Sequence, residues 1–321
     1  MTGFRYAPTG EPLGLAWRYF DIPLRVPFRG VTRRKGAVIL GPHGWGECSP
    51  FPGFAPESRN RSVEAAYDAA FEPWPMALRT AIPVHVTIPA VAPEEAAALV
   101  RQSGCRAAKV KVAEGNDEAR VEAVRDALGP GGRLVVDANG AWDFDQAVAS
   151  IRRLSRYSVE LVEQPVRGLA DLARVRRTVD VPVAADELAS SEKAIRIIAR
   201  TEAADVVVVK VQAIGGVTAA LRAVETAGIP AIVSNLLETS IGISAGVALA
   251  AALDSLPYPC GLGTVPLLAG DLVADSLVPV NGQIEVRRPE ADTSALARFA
   301  DPEPWWEGSY ITWNEHGIVD P

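Results

Sequence analysis

Six ionisable residues close successive short apolar runs in the middle of the chain. The runs read Ala107-Ala-Lys-Val-Lys111, Leu134-Val-Val-Asp137, Leu161-Val-Glu163, Val183-Ala-Ala-Asp186 and Val206-Val-Val-Val-Lys210. Asp137, Glu163, Asp186 and Lys210 follow one another at steps of 26, 23 and 24 residues. Each step is the length of one strand-plus-helix unit, which sets the four groups at similar height on successive strands. Three carboxylates converging from neighbouring strands repel unless a cation joins them. A hard divalent ion with oxygen ligands does this, and Mg²⁺ (Mn²⁺ is also admissible) keeps positions open for substrate oxygens. Lys109 and Lys111, two residues apart, share one face of their strand. Lys210 then enters from the opposite side, so a carboxylate substrate on the ion would lie between ammonium groups.

That arrangement suits removal of a proton next to a carboxylate. The enediolate left behind needs positive charge where its own charge develops. The base needs a pKa near neutrality, and a lysine crowded by a second lysine and a cation is expected to be pushed down toward it. Taken singly, the residues admit plainer roles. Lys-x-Lys can be a solvated strand end, Asp186 a helix N-cap and Glu163 a loop cap before Gln-Pro. Lys210, flanked by Val209 and Val211, resists such a reading because an unpaired buried ammonium is costly. The whole set falling in order at strand ends favours a joint site. The chain has only five lysines (Lys35, Lys109, Lys111, Lys193, Lys210) among 32 Lys plus Arg. Lysine can lose its proton when buried and arginine cannot, so retained lysines are a pointer to chemistry.

The elements needed to position these residues are legible as an alternation. Strand-like runs fall at 84–88, 107–112, 134–137, 159–163, 181–185, 206–211 and 231–234, with a short one at 260–263. Helical segments fall between them at 94–102, 117–128, 144–156, 169–178, 191–201, 218–227 and 240–253. Eight strands and seven helices predict an α/β fold, a (β/α)7β barrel of the TIM type, with the polar strand ends at one mouth. Residues 1–81 break the rhythm, with strand-like pieces at 15–23 and 37–40, a turn-rich loop from Gly41 to Pro56 and a helix near 62–71. The tail adds a strand-like run at 283–286 and an aromatic cluster, Trp305, Trp306, Tyr310 and Trp313, expected to serve in packing. The expected division is an α+β capping domain from 1–81 plus 281–321 and a barrel over 82–280. The segments 26–36 and 44–54 are expected to be loops that close over the substrate.

The remaining signals mainly exclude. A formal net charge of −7 disfavours nucleic acid as a partner. The apolar run Ile241 to Leu253 is too short to cross a bilayer. Met1-Thr-Gly-Phe-Arg carries no secretion signal and the three cysteines are odd in number, so a cytoplasmic protein is expected. His43, His85 and His316 lack zinc spacing and are expected in core or surface roles. Gly131-Gly132 and Gly215-Gly216 read as turns. Oligomeric state is not legible.

The ordered set Lys-x-Lys, Asp, Glu, Asp, Lys resembles the enolase superfamily, in particular its muconate-lactonizing subgroup. Gly44-Trp-Gly-Glu-Cys-Ser-Pro-Phe-Pro-Gly-Phe54, Val136-Asp-Ala-Asn-Gly-Ala-Trp142, Ser234-Asn-Leu-Leu-Glu-Thr-Ser240 and Gly261-Leu-Gly-Thr264 are similar to the actinobacterial branch of its o-succinylbenzoate synthase family. The resemblance implies a hydro-lyase of menaquinone biosynthesis, acting on 2-succinyl-6-hydroxy-2,4-cyclohexadiene-1-carboxylate. It implies Lys111 as base and then acid, Lys109 and Lys210 as electrostatic partners, and Asp137, Glu163 and Asp186 as ligands of Mg²⁺. Ser234 and Asn235 stand where the family usually carries a serine pair. With Phe51, Phe54 and Gly261 they are the expected substrate contacts. N-acylamino acid racemisation and muconate-type cycloisomerisation remain open with the same constellation. Dipeptide epimerisation is disfavoured by Gly261-Leu262-Gly263, where those enzymes carry Asp-x-Asp, and a mandelate-racemase-like mechanism by the lack of a His-Asp pair on the later strands. A non-catalytic barrel would be expected to have lost one of the six residues, and none is missing.

Overall fold

The structure, a computed structural model, describes residues 17–28, 30–302, 312–314 and 317–319. It begins with an antiparallel sheet of β1 (Arg18–Phe28), β2 (Val31–Gly41) and β3 (Gly44–Cys48), against which α1 (Pro56–Phe71) packs. β1 and β2 are one hairpin, paired from Arg18↔Val38 to Phe28↔Val31. The segment 26–36, expected as a loop, is therefore the tip of this hairpin. The segment 41–56, also expected as a loop, contains β3. Its alternate glycines disguised the strand, and Gly46 shows why they are there. A Cβ at Gly46 would lie 1.9 Å from the Ala66 carbonyl oxygen of α1, so only glycine lets the strand approach the helix.

β4 (Ala81–Pro83) then pairs antiparallel with β12 (Gln283–Glu285), which leaves the first barrel strand, β5 (Val86–Ile88), shorter than expected. From β5 the chain alternates through α2 (Pro93–Ser103), β6 (Ala107–Lys111), α3 (Asp117–Leu128), β7 (Arg133–Asp137), α4 (Phe144–Leu154), β8 (Leu161–Glu163) and α5 (Leu169–Arg176). It continues with β9 (Val183–Ala185), α6 (Glu192–Arg200), β10 (Val206–Lys210), α7 (Val211–Ile214), α8 (Val217–Ala227), β11 (Ala231–Ser234) and α9 (Ser240–Ala252). The seven strands β5 to β11 lie in sequence order in one parallel sheet. Bridges Ser234↔Gly261 and Val84↔Cys260 close the sheet on itself through the short eighth stretch. This is the TIM-like barrel expected from the alternation. A short helix, α10 (Thr293–Arg298), follows β12, and a small hairpin, β13 (Thr312–Asn314) with β14 (Gly317–Val319), lies beyond it. Trp305, Trp306, Tyr310 and His316 lie outside the described residues.

Strand alternation divides the core in two. Val135, Leu161, Ala184, Val206, Val208 and Ile232 fill the barrel interior, while Val136, Val162, Ala185, Val207, Val209 and Val233 pack outward against the helices. Local capping fixes the helix starts: Asp143 and Gln146 form a capping box on α4, and Ser191 caps α6. The apolar run that forms α9 is buried nearly all round, between β11 on one side and β3 on the other. Among the described residues no helix is long and apolar enough to cross a membrane.

The N-terminal sheet and α1 are held on the barrel by polar contacts at helix starts. The α8 N-terminus begins at Gly216, which has no side chain, and the Asp68 carboxylate of α1 accepts from Val217 N at 2.8 Å instead. Glu47 of β3 is fully buried and accepts from Thr239 N at 3.2 Å and Gly242 N at 2.9 Å, at the start of α9. Arg61 donates to the Ala213 carbonyl at 2.6 Å. Replacing Asp68 with Ala leaves the first α8 amides without a partner, and should cost about 1 kcal/mol in urea unfolding. An unchanged midpoint would show that water caps α8 equally well.

Candidate active site

The same alternation that fills the barrel brings the ionisable residues into its mouth. Each lies two residues beyond an interior side chain: Asp137 after Val135, Glu163 after Leu161, Lys210 after Val208, Ser234 after Ile232. Strand register completes the ring. Lys111 pairs with Asp137 and Asp137 with Glu163, while across the mouth Lys210 pairs with Ser234, and Ser234 bridges to Gly261. Asp186 follows directly on β9.

Within the ring every carboxylate meets an ammonium. Lys109 Nζ donates to Glu163 Oε1 at 2.7 Å and stands 3.3 Å from Asp137 Oδ2. Lys111 Nζ donates to Asp137 Oδ2 and, at 2.8 Å, to Asn139 Oδ1. Lys210 Nζ donates to Asp186 Oδ1. Asn139 in turn donates through Nδ2 to Glu187 at 3.0 Å and sits at a left-handed φ of 46°, a conformation asparagine tolerates better than most residues. Asp137 and Glu163 are fully buried under the lysines, with side-chain exposures of 0% and 1%. Lys111 is the more open of the strand pair at 15%, against 8% for Lys109.

Burial disfavours charge on all of these groups, and the neighbours decide the outcome. For Asp137, burial is outweighed by Lys111 and Lys109, which hold the carboxyl well below the usual range. For Asp186, burial is outweighed by Lys210 and Lys109 in the same sense. Glu163 goes the other way: burial, then repulsion from Asp137 and Asp186, pushes it up against the pull of Lys109. For Lys109, burial is outweighed by Glu163, Asp137 and Asp186, so its ammonium is held above the ordinary lysine value.

The residue set fits a hard divalent cation. The three carboxylates come from adjacent strands and are all buried, and Glu163 feels both of the others as repulsion, which a cation would turn into attraction. Among the described residues no three His, Cys, Asp or Glu side chains are gathered as a ready ligand cluster, because each carboxylate leans on its lysine.

Lys109, Lys111, Asp186, Lys210, Ser234, Asn235, Phe51 and Gly261 line one cavity. Phe54 is not among its walls. It lines a neighbouring cavity that shares Phe51, Asp186 and Lys210 with the first. Asn235 is fixed by bonds to the Gly261 carbonyl and, at 2.9 Å, from Thr264 Oγ1. A Cβ at Gly261 would lie 2.6 Å from Ser234 Oγ and 3.3 Å from His85 Nε2, so a larger residue there would require Ser234 to shift.

Several wall residues were not singled out by sequence. Phe28 reaches the cavity from the hairpin tip, and Leu237 and Thr264 from the seventh and eighth loops. His85 and Thr87 line it as well, and His85 is buried, in keeping with the core role expected of it. Their signal was present: His85 and Thr87 alternate with Val86, whose side chain packs outward. His43 is exposed in the β2–β3 turn. Cys48, Cys105 and Cys260 are buried free thiols.

Comparison with known proteins gives the same outline. A family model described as "Enolase C-terminal domain-like" matches residues 92–291, and "Enolase N-terminal domain-like" matches residues 19–70. The chain is 53% identical over 295 residues to an o-succinylbenzoate synthase of Thermobifida fusca, covering 90% of this chain and 93% of that one. It is 43% identical over 296 residues to an o-succinylbenzoate synthase of Mycolicibacterium smegmatis, covering 89% and 91%. Among solved structures, a muconate lactonizing enzyme from Pseudomonas fluorescens superposes with a TM-score of 0.81 at 22% identity, covering 90% of this chain and 98% of that one. The L-Ala-D/L-Glu epimerase of Bacillus subtilis superposes with a TM-score of 0.76 at 23% identity, covering 86% and 96%. At such identities the structures speak for the fold.

His85 supplies a measurable consequence of this environment. Burial first, and then the charge on Lys109, push its imidazole down to about 3, and its Nδ1 has no hydrogen-bond partner. The folded protein keeps His85 neutral while the unfolded chain takes up a proton below about 6.5. Its contribution is therefore intact above that pH and is lost as the pH falls toward 3. Between pH 6.5 and pH 5 the loss should be about 2 kcal/mol. Urea unfolding of the wild type and His85→Gln at both pH values checks this. Equal slopes in the two proteins would show that His85 titrates normally.

Proposed function

The chain belongs to the o-succinylbenzoate synthase family of the enolase superfamily, and from that premise we propose that its mouth dehydrates 2-succinyl-6-hydroxy-2,4-cyclohexadiene-1-carboxylate to o-succinylbenzoate. The observation that carries this reading is the 53% identity to a synthase along 90% of the chain. Menaquinone biosynthesis in the cytoplasm is the setting we assign to it. We also assign residues 1–81 and 281–321 to a capping domain and 82–280 to the catalytic barrel.

Enzymes of the superfamily depend on a divalent metal, which we take to be Mg²⁺ held by Asp137, Glu163 and Asp186. When bound it supplies positive charge beside the substrate carboxylate and so acidifies the neighbouring C–H bond. The charge count agrees with this assignment. With Lys111 neutral as the base, Lys109 and Lys210 stand against three carboxylates, so a divalent cation leaves the mouth positive and suited to an anionic substrate.

Lys111 is the proposed base. Its two partners are one carboxylate and one neutral amide, whereas Lys109 is gripped by two carboxylates. In its neutral form Lys111 takes the ring proton next to the carboxylate, and the C–H pair becomes an enediolate. The same ammonium returns that proton to the hydroxyl as the C–O bond breaks on the same face. Water leaves, the ring becomes aromatic, and Lys111 is again neutral. Lys109 holds the substrate carboxylate by charge, and Lys210 stabilises the enediolate from across the mouth while remaining protonated. Ser234, Asn235, Phe51 and Gly261 form the walls against the ring and its side chain, with Phe54 at the edge of the adjoining cavity.

Lys210 facing Lys111 also favours a second reading, N-acylamino acid racemisation, in which the two lysines serve opposite faces of one carbon. Gly261 and Gly263 count against dipeptides, because they offer no acidic side chain to hold an ammonium.

The test is an absorbance assay of the purified protein on the cyclohexadiene substrate with Mg²⁺ and with excess EDTA. Conversion should require the metal, and Lys111→Ala should lower kcat by about 10²–10⁴-fold, the contribution of acid–base catalysis. Folded, metal-loaded protein that leaves the substrate untouched would discard the synthase reading. Deuterium exchange at the α-carbon of N-acylamino acids would then test the second.

A further inference from the structure

The cavity has one wall from the N-terminal sheet and another from the loop after β11, and a single buried residue touches the backbone of both. Arg34, on β2, is 1% exposed and is among the largest fully buried side chains of the protein. Its guanidinium donates through Nη2 to the Ser49 carbonyl and lies 3.5 Å from the Pro50 carbonyl through Nη1. Through Nε it donates to the Leu237 carbonyl at 3.2 Å, 203 residues away in the chain. The same group stacks 4.7 Å over the ring of Phe51. Phe51 and Leu237 both line the cavity.

Leu237 needs holding. Its φ of 59° is left-handed, a conformation a side-chain-bearing residue keeps only where its surroundings impose it. Two bonds do so: its N–H donates to Asn235 Oδ1 at 2.6 Å, and its carbonyl accepts from Arg34. Asn235 is itself a wall of the cavity. The guanidinium is also flanked by two buried acids, Glu47 and Glu238, whose charges act on it from the N-terminal sheet and the β11 loop. Burial and then Glu47 push Glu238 up to about 7, a sign of how closely the acids crowd this point. Three carbonyl acceptors and a ring face in fixed directions match the planar fork of arginine and not the point charge of lysine.

We propose that Arg34 is a positioning residue for substrate binding, clamping the 49–51 segment and the strained Leu237 turn together so that Phe51 and Asn235 stand at a fixed separation across the cavity. This rests on the proposed synthase reading for the identity of the substrate, but the clamp itself can be read without it.

The experiment uses the full chain with Mg²⁺, as wild type, Arg34→Lys and Phe51→Leu. Hydrogen–deuterium exchange reads the clamp, and steady-state dehydration reads its use. In Arg34→Lys, exchange should rise together in segments 49–54 and 235–239, by about tenfold or more, with the barrel strands unchanged. KM for the cyclohexadiene substrate should rise about tenfold while kcat stays within about threefold, the pattern of lost binding and not lost chemistry. Phe51→Leu keeps the charge and removes only the ring under the guanidinium. It should still speed exchange in 235–239, on the far side of the clamp, and so tests the idea even if Arg34→Lys does not fold. Unchanged exchange in 235–239 in both variants overturns the clamp, as does a general rise over the whole barrel or a fall in kcat at constant KM. A wild type that binds metal but does not dehydrate would sink the synthase reading alone, and the exchange comparison would stand as the test of Arg34.

Discussion

The pairing of buried charges at the barrel mouth is the constraint on which the rest depends. Three carboxylates and three ammonium groups crowd the end of a barrel whose interior below them is Val135, Leu161, Ala184, Val206, Val208 and Ile232. A carboxylate stranded there without a partner would cost several kcal/mol. Each acid is therefore tied to a lysine, and each pair can form only if strands β6 to β10 keep their register. A one-residue slip in any of them would turn the ionisable side chain out into the helix layer and an apolar one into the mouth. The chemistry and the register of the sheet are thus the same requirement.

The N-terminal sheet obeys a related rule at its own boundary. Its contacts with the barrel are not a broad apolar face alone but a few buried polar groups at helix starts. Asp68 serves α8 and Glu47 serves α9, each a negative group placed where exposed amides and the helix dipole favour one. Glu47 also accepts from Ser49 Oγ at 2.6 Å, immediately before the segment that carries Phe51 to the cavity. Packing that fixes the sheet therefore also fixes a wall of the site. A buried carboxylate in this role is costly to leave half-satisfied, and Glu47 has acceptor bonds from four donors across Ser49, Thr239 and Gly242.

The barrel was legible because its strands are unbroken β-branched runs and its helices carry the right period. The six ionisable residues were legible because each interrupts such a run at its end. What sequence hid has physical reasons. β3 alternates glycine with larger residues, so the packing demand at Gly46 erased the apolar pattern that would mark a strand. The tip of the β1–β2 hairpin read as a loop because Thr32-Arg-Arg-Lys35 carries charge through the first half of β2. Arg34, Asn139 and Glu47 act through partners far away in the chain, and no local pattern records such a pairing.

The same electrostatics separates two lysines that sequence alone leaves nearly equivalent. Both face the mouth from β6, and a proton acceptor must be able to give up its own proton first. Lys109 stands against Glu163 and Asp137 and is held charged by them. It is suited to permanent positive charge and poorly suited to acting as a base. Lys111, one step nearer the opening, shares Asp137 with Lys109 and finds in Asn139 an acceptor that orients its nitrogen without adding negative charge. A divalent cation among Asp137, Glu163 and Asp186 would draw on the same oxygens and weaken their hold on both lysines. The one with fewer anionic partners would be released first. The division of labour proposed for the two lysines rests on depth: two strand positions, one turned toward two acids and the other toward one acid and an amide.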